Sequence, residues 1–448
     1  MRIERKSWHP WVFQKMLERP QERLPPGCVV DVEDRLGHWV GRGFYNGHSR
    51  IGLRILTDQE DEAIDEAFFA RKIAQAVTLR RDLLHLDEVT DAYRLIHSEG
   101  DGLSGLVVDR FGKRIVLEFF AAGMYRFREV IQNALARHYP EATFYYFAEE
   151  HVQKQESIDV RAPVPPAPEI IQEFGVKFRV TPGSKHKTGF FADQRDNRRR
   201  LASMSAGKRV LDLCCNTGGF AVHAKAAGAD EVTGLDLDES AIALARQNAG
   251  LNNLRLRFVQ ADLFPWLRDR ITHHQRWDVV VLDPAKQTRD REELPVALKR
   301  YLDMNRLALQ VVAEGGVFAT FSCTGLVSEA DFLDVVRKAA WQAGRHVQIF
   351  HVGGAGGDHP YFTHAPEGRY LKAIFARVTT AKNLSLGPRG AGEKSGEGPD
   401  DGLDFMPQHD NPTAKGEPNG GPSARRGGGE SGRSPEQGLA RRPSRDNP

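Results

Sequence analysis

The sequence is poor in cysteine and has no long apolar run. Its 448 residues include only four cysteines, Cys28, Cys214, Cys215 and Cys323, and none of them has C-x-x-C spacing. This argues against a zinc site or a disulfide framework, so we expect no metal. No apolar run approaches the ~18 residues of a membrane helix, and the N-terminal stretch lacks a signal-peptide core. We therefore expect a cytoplasmic protein with reduced thiols and no membrane partner.

The sequence also lacks an excess of charge of either sign. Its 62 Lys and Arg residues nearly balance 60 Asp and Glu residues, for a formal net charge of +2. Composition alone therefore does not indicate nucleic-acid binding, and any RNA-binding surface must be a local patch. The length is sufficient for about two to four domains with a sizeable core.

The strongest pattern is a strand, turn, helix and strand between Arg209 and Asp238. Gly218 and Gly219 open the helix, where a missing Cβ would let a ligand approach the backbone. The free N–H groups at the start of a helix favour an anion. Asp236 ends the second strand, close to the spacing of about 20 residues at which an acid holds a nucleotide ribose.

The same turn argues against a dinucleotide. Cys214 and Asn216 occupy positions where a dinucleotide-binding loop has glycine, which disfavours NAD and FAD. A ligand with a ribose but no pyrophosphate remains, and S-adenosylmethionine fits. The alternative is an ordinary strand–turn–helix of an α/β domain without a ligand.

Beyond this stretch, strands and helices alternate to the end of the last apolar run. Such alternation predicts an α/β fold with a parallel, doubly wound sheet, in which ligands bind beyond the carboxyl ends of the strands. Five chemically useful residues fall at or near predicted strand ends: Asp212, Asp236, Asp262, Asp283 and Cys323. Their convergence predicts a cofactor site at one edge of the sheet.

Residues 1–60 read as a small β-rich domain. Arg42, Arg50 and Arg54 recur along its strands between aromatic residues, a composition that suits RNA. Arginines on the wet face of a small barrel explain the pattern equally well.

Residues 61–182 read as a linker helix followed by a central α/β domain with a β-hairpin. The basic stretch from Thr181 to Arg200 then leads into residues 183–380, and its Lys187 and Arg195 are candidate RNA phosphate contacts. A solvated helix face is the alternative. Gly and Pro make up about a third of residues 381–448, which predicts a disordered tail.

Several motifs together resemble the bacterial large-subunit rRNA cytosine-C5 methyltransferases. They are HPWVF (9–13), YRLI with GDGLSGLVVDRFG (93–112), KTGFFADQRDNR (187–198), DLCCNTGGFAV (212–222), DPAK (283–286), FSCTGL (321–326) and DHP with PEGRYLK (358–372). The resemblance covers nearly all of residues 8–380. Ala285 departs from it, because the family usually has a second proline there, and the tail has no counterpart.

The resemblance implies a PUA-like RNA-binding domain, the central domain and a class I S-adenosylmethionine-dependent, Rossmann-like seven-stranded fold. Gly218 and Gly219 would contact the methionine part of the cofactor, Asp236 the ribose and Asp262 the adenine amino group. The implied cofactor site also includes the following residues: Phe190, Asp193, Gln194, Asp212, Asn216 and Asp283. The first three of these would close over the cofactor, whereas Asp283 and Lys286 would line the pocket of the target base.

The chemistry implied by the resemblance needs a sulfur nucleophile. C5 of cytosine becomes nucleophilic only after a thiolate adds to C6, and Cys323 would supply that thiolate, aided by Lys286 or nearby arginines. The base would have to leave its stack. Asp283, a water or His359 could then accept the C5 proton. An inert core cysteine is the alternative for Cys323, and it is the preferred interpretation of Cys214 and Cys215.

The predicted function is therefore S-adenosylmethionine-dependent methylation of a cytosine C5 in 23S rRNA. Two alternatives stay open: methylation of another RNA atom such as a guanine nitrogen, and a non-catalytic RNA-binding ribosome assembly factor. Calorimetry of S-adenosylmethionine binding separates the last of these from both enzymes. The sequence leaves open whether the protein is a homodimer.

Overall fold

The protein is described from a computed structural model that covers residues 1–4, 7–18, 20–160, 167–183 and 189–381. The predicted disordered tail beyond Ala381 and the candidate RNA contact Lys187 lie outside the described residues.

The N-terminal part of the chain forms a four-stranded antiparallel sheet. Its strands are β1 (Trp11–Phe13), β2 (Cys28–Glu33), β3 (Trp39–Tyr45) and β4 (Ile51–Thr57), in the order β1-β4-β3-β2. The strand-like runs at 28–34, 38–46 and 49–56 predict the last three strands, whereas the sequence does not predict the short β1. A small apolar cluster fills one side of the sheet and includes Ile3, Val12, Val32, Val40, Tyr45 and Leu53.

The central part builds a second four-stranded sheet against helices. Its elements are α1 (Glu66–Thr78), β5 (Ala92–His97), β6 (Leu106–Phe111), β7 (Arg114–Phe119), α2 (Ala122–Arg126), α3 (Arg128–His138), β8 (Thr143–Phe147) and α4 (Glu150–Glu156). The strand order is β5-β6-β7-β8. The helix predicted from Asp61 begins later, because Asp65 caps it by accepting a hydrogen bond from the Phe68 amide at 2.9 Å. It continues past Thr78 as a π-helical turn, Leu79–Leu83.

A hairpin then leads into the third part of the chain. The stretch IQEFGVKFRV (171–180) predicts a hairpin. The structure confirms it, with β9 (Glu169–Glu173) and β10 (Val176–Val180) paired antiparallel. Phe174 and Gly175 form its turn with φ values of 48° and 80°.

The third part is a seven-stranded sheet with helices on both faces. Its elements are α5 (Arg195–Ala202), β11 (Arg209–Leu213), α6 (Gly219–Ala226), β12 (Glu231–Asp236), α7 (Glu239–Leu251), β13 (Arg257–Gln260), α8 (Leu263–Thr272), β14 (Trp277–Leu282), α9 (Leu294–Gln310), β15 (Val312–Ser322), α10 (Glu329–Gln342), β16 (Arg345–Gly353) and β17 (Lys372–Thr380). The strand order is β13-β12-β11-β14-β15-β17-β16, and only pairs that involve β17 are antiparallel. The predicted doubly wound α/β fold is confirmed.

Alternate residues of the central strands enter two separate apolar cores. Val210 and Val279 belong to one core, whereas Leu211 and Val280 belong to the other. Such a sheet is buried on both faces, which explains why its strands read as continuous apolar runs. Its functional groups are therefore confined to the strand ends.

One predicted boundary in this part is wrong. The sequence predicts a helix from Glu292 to Ala313 that stops at Gly315 and Gly316. In the structure this helix, α9, ends at Gln310, and both glycines lie inside β15. A Cβ at Gly316 would lie 2.8 Å from the carbonyl oxygen of Asp278. This glycine serves the close approach of two strands, rather than ending a helix.

Candidate cofactor and active site

The strand register brings the predicted site residues to one edge of the sheet. Leu213 at the end of β11 pairs with Leu235 of β12 and with Leu282 of β14. Asp236 and Asp283, which follow those two partners, therefore lie on either side of the turn after β11. This is the edge at which doubly wound folds bind their ligands.

Asp236 holds the turn that follows β11. One of its carboxylate oxygens accepts a hydrogen bond from the Asn216 amide at 2.8 Å, and the other accepts one from the Asp238 amide at 2.9 Å. The turn contains three left-handed residues, Cys214, Asn216 and Gly218, with φ values of 61°, 47° and 81°. A carboxylate has about four acceptor sites, so Asp236 can still accept hydroxyl donors.

The structure adds a packing reason for the two glycines. A Cβ at Gly218 would lie 3.1 Å from the Phe258 ring and 3.2 Å from the Ala245 side chain. A Cβ at Gly219 would lie 3.2 Å from Cδ of Arg198. Close packing within the protein and the positive φ of Gly218 therefore favour glycine here, and the contact of both glycines with the cofactor stays a prediction.

Asp212 is a buried acid with unused hydrogen-bonding capacity. One carboxylate oxygen accepts a hydrogen bond from the Ala221 amide at 2.9 Å, and the other has no hydrogen-bond partner among the described residues. Burial, and then repulsion from Asp283 and Asp236, raise its pKa well above the ordinary value. A nearby cation would stabilise the ionised carboxylate and so offset both effects.

These groups fit S-adenosylmethionine. The cofactor carries a sulfonium and an ammonium cation, which suit the acidic edge formed by Asp212, Asp236 and Asp283. Asp262 is exposed at the start of α8, where it caps the helix by accepting a hydrogen bond from the Phe264 amide at 2.8 Å. Its second oxygen suits an amino donor such as that of adenine.

The residues predicted to close over the cofactor are buried and held by other parts of the protein. Phe190 lies under the guanidinium of Arg198, 4.7 Å from its ring centre. Gln194 accepts a hydrogen bond from Asn197 at 2.7 Å. Asp193 accepts one from the Tyr370 hydroxyl at 2.5 Å. Their contact with the cofactor stays a prediction.

Cys323 lies beside the loop that contains Asp283 and Lys286. Its sulfur is 4.0 Å from the carbonyl oxygen of Pro284, and the residue is half-buried. The two loops are tied together by Thr324, whose hydroxyl accepts a hydrogen bond from the Gln287 amide at 3.0 Å. Lys286 itself is exposed. The sulfur and the predicted base pocket are therefore neighbours.

Sequence reasoning missed a buried lysine next to this cysteine. Lys372 begins β17 and is 4% exposed. Its ammonium donates to the carbonyl oxygens of Thr324 at 2.7 Å and Tyr370 at 2.8 Å. Burial lowers its pKa to about 8, although the neighbouring Cys323 acts in the opposite direction. A charged residue interrupting the apolar run of β17 was the signal that could have revealed it.

His359, one of the candidate proton acceptors, lies in a buried aromatic group. Its ring centre is 5.0 Å from that of His97 and 6.5 Å from that of Tyr370. Its Nδ1 lies 3.3 Å from the carboxylate of Asp358. The central part of the chain thus contributes His97 to the surroundings of the site.

Two of the arginines predicted to contact RNA are buried in ion pairs. Arg54 is 7% exposed and lies 3.4 Å from the carboxylate of Glu99, whereas Arg195 is 1% exposed and donates to Asp358 at 2.9 Å. Groups so enclosed can reach a phosphate only by leaving their partners, and the RNA contacts of Arg54 and Arg195 stay predictions.

The other two described arginines differ from each other. Arg42 is half-buried and donates to the carboxylate of Asp31 at 2.6 Å, whereas Arg50 is exposed. Their RNA contacts stay predictions.

Among the described residues, no group of three or more His, Cys, Asp or Glu side chains is arranged to hold a metal ion. Within the same ranges, no helix is both long and apolar enough to cross a membrane.

The fold and site define the class of protein. Residues 159–345 match a family model described as S-adenosylmethionine-dependent methyltransferase, and residues 4–58 match a PUA-like domain. A crystal structure of a candidate methyltransferase complexed with SAH has the same fold, with a TM-score of 0.71 at 21% identity over 83% of this chain and 96% of that one. The protein is an S-adenosylmethionine-dependent methyltransferase with an N-terminal PUA-like domain.

Close relatives then define the family. The chain is 40% identical to ribosomal RNA large subunit methyltransferase I of Aeromonas hydrophila over 379 residues, which are 83% of this chain and 95% of that protein. It is 39% identical to the protein of the same name from Escherichia coli strain HS over 378 residues, with the same coverage. The chain belongs to the ribosomal RNA large subunit methyltransferase I family.

Replacing Asp236 by asparagine is expected to weaken S-adenosylmethionine binding roughly ten- to hundredfold, because hydrogen bonds to a charged acceptor contribute about 1.5–3 kcal/mol. Titration calorimetry with the full chain measures the change. Asp230→Asn is a matched control, since this exposed acid lies just before the opposite end of the same strand. Equal affinity in the two variants would contradict the placement of the ribose at Asp236.

Proposed function

We propose that this protein transfers a methyl group to C5 of a cytosine in 23S rRNA through a covalent bond between Cys323 and C6. The observation that carries the proposal is the position of Cys323, whose sulfur lies beside the Asp283–Lys286 loop at the edge of the sheet that contains the three acids. The printed names of the relatives support ribosomal RNA as the substrate.

The proposed chemistry begins with the thiolate of Cys323. Its addition to C6 makes C5 an enamine-like carbon, which is nucleophilic enough to accept a methyl group. S-adenosylmethionine supplies that group as an electrophilic methyl on a sulfonium sulfur. Loss of the C5 proton to a base and departure of the sulfur from C6 then restore the ring double bond and return the thiolate.

The other residues bind and orient the cofactor and the RNA. Asp236 takes the ribose, Asp262 the adenine amino group, and Asp212 and Asp283 the positive charge of the cofactor. Lys286 is exposed on the loop beside Cys323, where it can contact the target nucleotide. On the PUA-like domain, Arg50 is the exposed candidate for RNA. We place this activity in the cytoplasm, and a homodimer stays a prediction that light scattering can test.

Nucleoside mass spectrometry of the product tests the proposal. Purified protein is incubated with S-adenosylmethionine and 23S rRNA isolated from a strain that lacks this protein. The expected product is 5-methylcytidine at one position. A methylated guanosine would support the second enzymatic hypothesis instead. No methylated nucleoside, together with no cofactor binding in calorimetry, would favour an assembly factor.

A further inference from the structure

We propose that Lys372 is a positioning residue that holds a positive charge against the sulfur of Cys323 and favours its thiolate. The inference deepens the proposed function, because it explains how a cysteine beside an acidic cofactor edge is kept reactive. The sequence assigned this task to Lys286 or to nearby arginines.

The backbone places Lys372 next to the residues that precede and follow Cys323. In the antiparallel pairing of β15 with β17, Lys372 is the partner of Ser322, the residue immediately before the cysteine. Its ammonium reaches the carbonyl oxygen of Thr324, the residue immediately after it, at 2.7 Å. The charge is therefore fixed next to the segment that presents the sulfur.

The hydrogen bonds of Lys372 orient its charge without neutralising it. Both described acceptors, in Thr324 and Tyr370, are backbone carbonyl oxygens, and no salt bridge to Lys372 occurs among the described residues. An ammonium has three N–H donors, so two bonds to carbonyls leave one for a further acceptor. Burying a lysine without a carboxylate is costly, and such groups concentrate at functional sites.

The surroundings of Cys323 and Lys372 contain further charged and titratable groups. Those that interact with Cys323 or with Lys372 come from several elements: Lys286, Tyr301, Asp331, Arg369 and Tyr370. The acid among them, Asp331, acts to raise the pKa of Lys372 and so helps to keep the lysine charged. Lys286 is exposed, so water and salt screen it more than they screen the buried Lys372.

A purely structural role for Lys372 makes a different prediction. If the lysine only fixed the loop through the Thr324 carbonyl, its loss would lower stability without changing the ionisation of Cys323. If it supports the thiolate, its loss must raise the pH at which the thiol ionises, and an arginine, which keeps the charge, must recover part of the effect.

The rate at which iodoacetamide alkylates Cys323 reports its ionisation, because only the thiolate reacts. The full chain is treated from about pH 6 to 10, and peptide mass spectrometry separates Cys323 from the other three cysteines. The midpoint is the pH at which the alkylation rate of Cys323 is half of its maximum. For the wild type we expect it to lie below the unperturbed thiol pKa of about 8.5. Lys372→Met should raise the midpoint by at least about one pH unit and slow alkylation at neutral pH about tenfold. Lys372→Arg should recover part of that rate, and Lys286→Met should change it less.

A wild-type midpoint at or above about 8.5 would overturn the proposal. So would a shift in Lys372→Met no larger than that in Lys286→Met. If Lys372→Met fails to fold, the wild-type midpoint and the arginine variant decide. If the Lys372 variants shift the midpoint as expected but Cys323 forms no adduct with RNA, the proposed function is rejected and this inference stands.

Discussion

Replacing Cys323 by alanine is expected to reduce methyl transfer to 23S rRNA by roughly three orders of magnitude or more, because removal of an enzymatic nucleophile has effects of at least that size. Cofactor binding should remain close to that of the wild type. Cys323 follows β15, whereas Asp236, which suits the ribose, ends β12, and Asp262, which suits the adenine, lies just after β13. The variant should therefore bind the cofactor but fail to transfer the methyl group.

An RNA that contains 5-fluorocytosine provides a direct test of the covalent bond. Fluorine at C5 cannot leave as a cation, so the sulfur cannot be expelled from C6 after methyl transfer, and the adduct persists. Denaturing electrophoresis should show the wild-type protein bound to this RNA and Cys323→Ala free of it.

Cys28→Ala is the matched control for this experiment. Cys28 lies at the start of β2 in the N-terminal sheet, and burial raises the pKa of its thiol. The control should form the adduct as the wild type does. An adduct formed by Cys323→Ala, traced by mass spectrometry to another cysteine, would contradict the assignment of the nucleophile.

The sequence was sufficient to predict the sheet and the edge that carries the site. Apolar runs that alternate with helical segments identify parallel strands, and in such sheets every strand end lies at a known edge. Asp236, Asp283 and Cys323 could therefore be placed together without coordinates. Their positions follow from local patterns, which a sequence displays directly.

Pairings between distant parts of the chain could not be predicted. Arg54 and Arg195 read as surface cations because their partners, Glu99 and Asp358, are far away in sequence. The tight contact that a side chain at Gly218 would make with Phe258 was likewise not predictable, because Phe258 lies on another strand. Local pattern gives the type of a residue, but only packing decides whether a charge faces solvent or a buried partner.

Replacing Glu173 by glutamine is expected to lower the free energy of unfolding by about 3–5 kcal/mol, because it leaves a buried cation without its counter-charge. Glu173 is fully buried at the end of β9 and accepts two hydrogen bonds from Arg198 of α5, at 2.7 and 2.6 Å. His223 of α6 lies 2.9 Å from the same carboxylate. Glu173 thus connects the hairpin to two helices next to the cofactor turn. Urea unfolding, monitored by circular dichroism, measures the loss in the free energy of unfolding.

The loss should depend on pH in a defined direction. Burial alone would raise the pKa of Glu173, but the charge of Arg198 and the hydrogen bond with His223 lower it from 4.5 to about 2. A carboxyl group with a depressed pKa contributes its stabilisation above its unfolded value and loses it as the pH falls through its folded value. The difference between wild type and Glu173→Gln should therefore be full above about pH 4.5 and shrink towards pH 2.

Glu141→Gln is the control for this series. Glu141 forms an exposed ion pair with Lys113 at 2.7 Å, where solvent screens the interaction, so no measurable change in stability is expected. If Glu173→Gln were as stable as this control at neutral pH, the buried ion pair with Arg198 could not be what fastens the hairpin to α5. If its loss were instead constant across the acid range, the carboxylate of Glu173 would not be the titrating group.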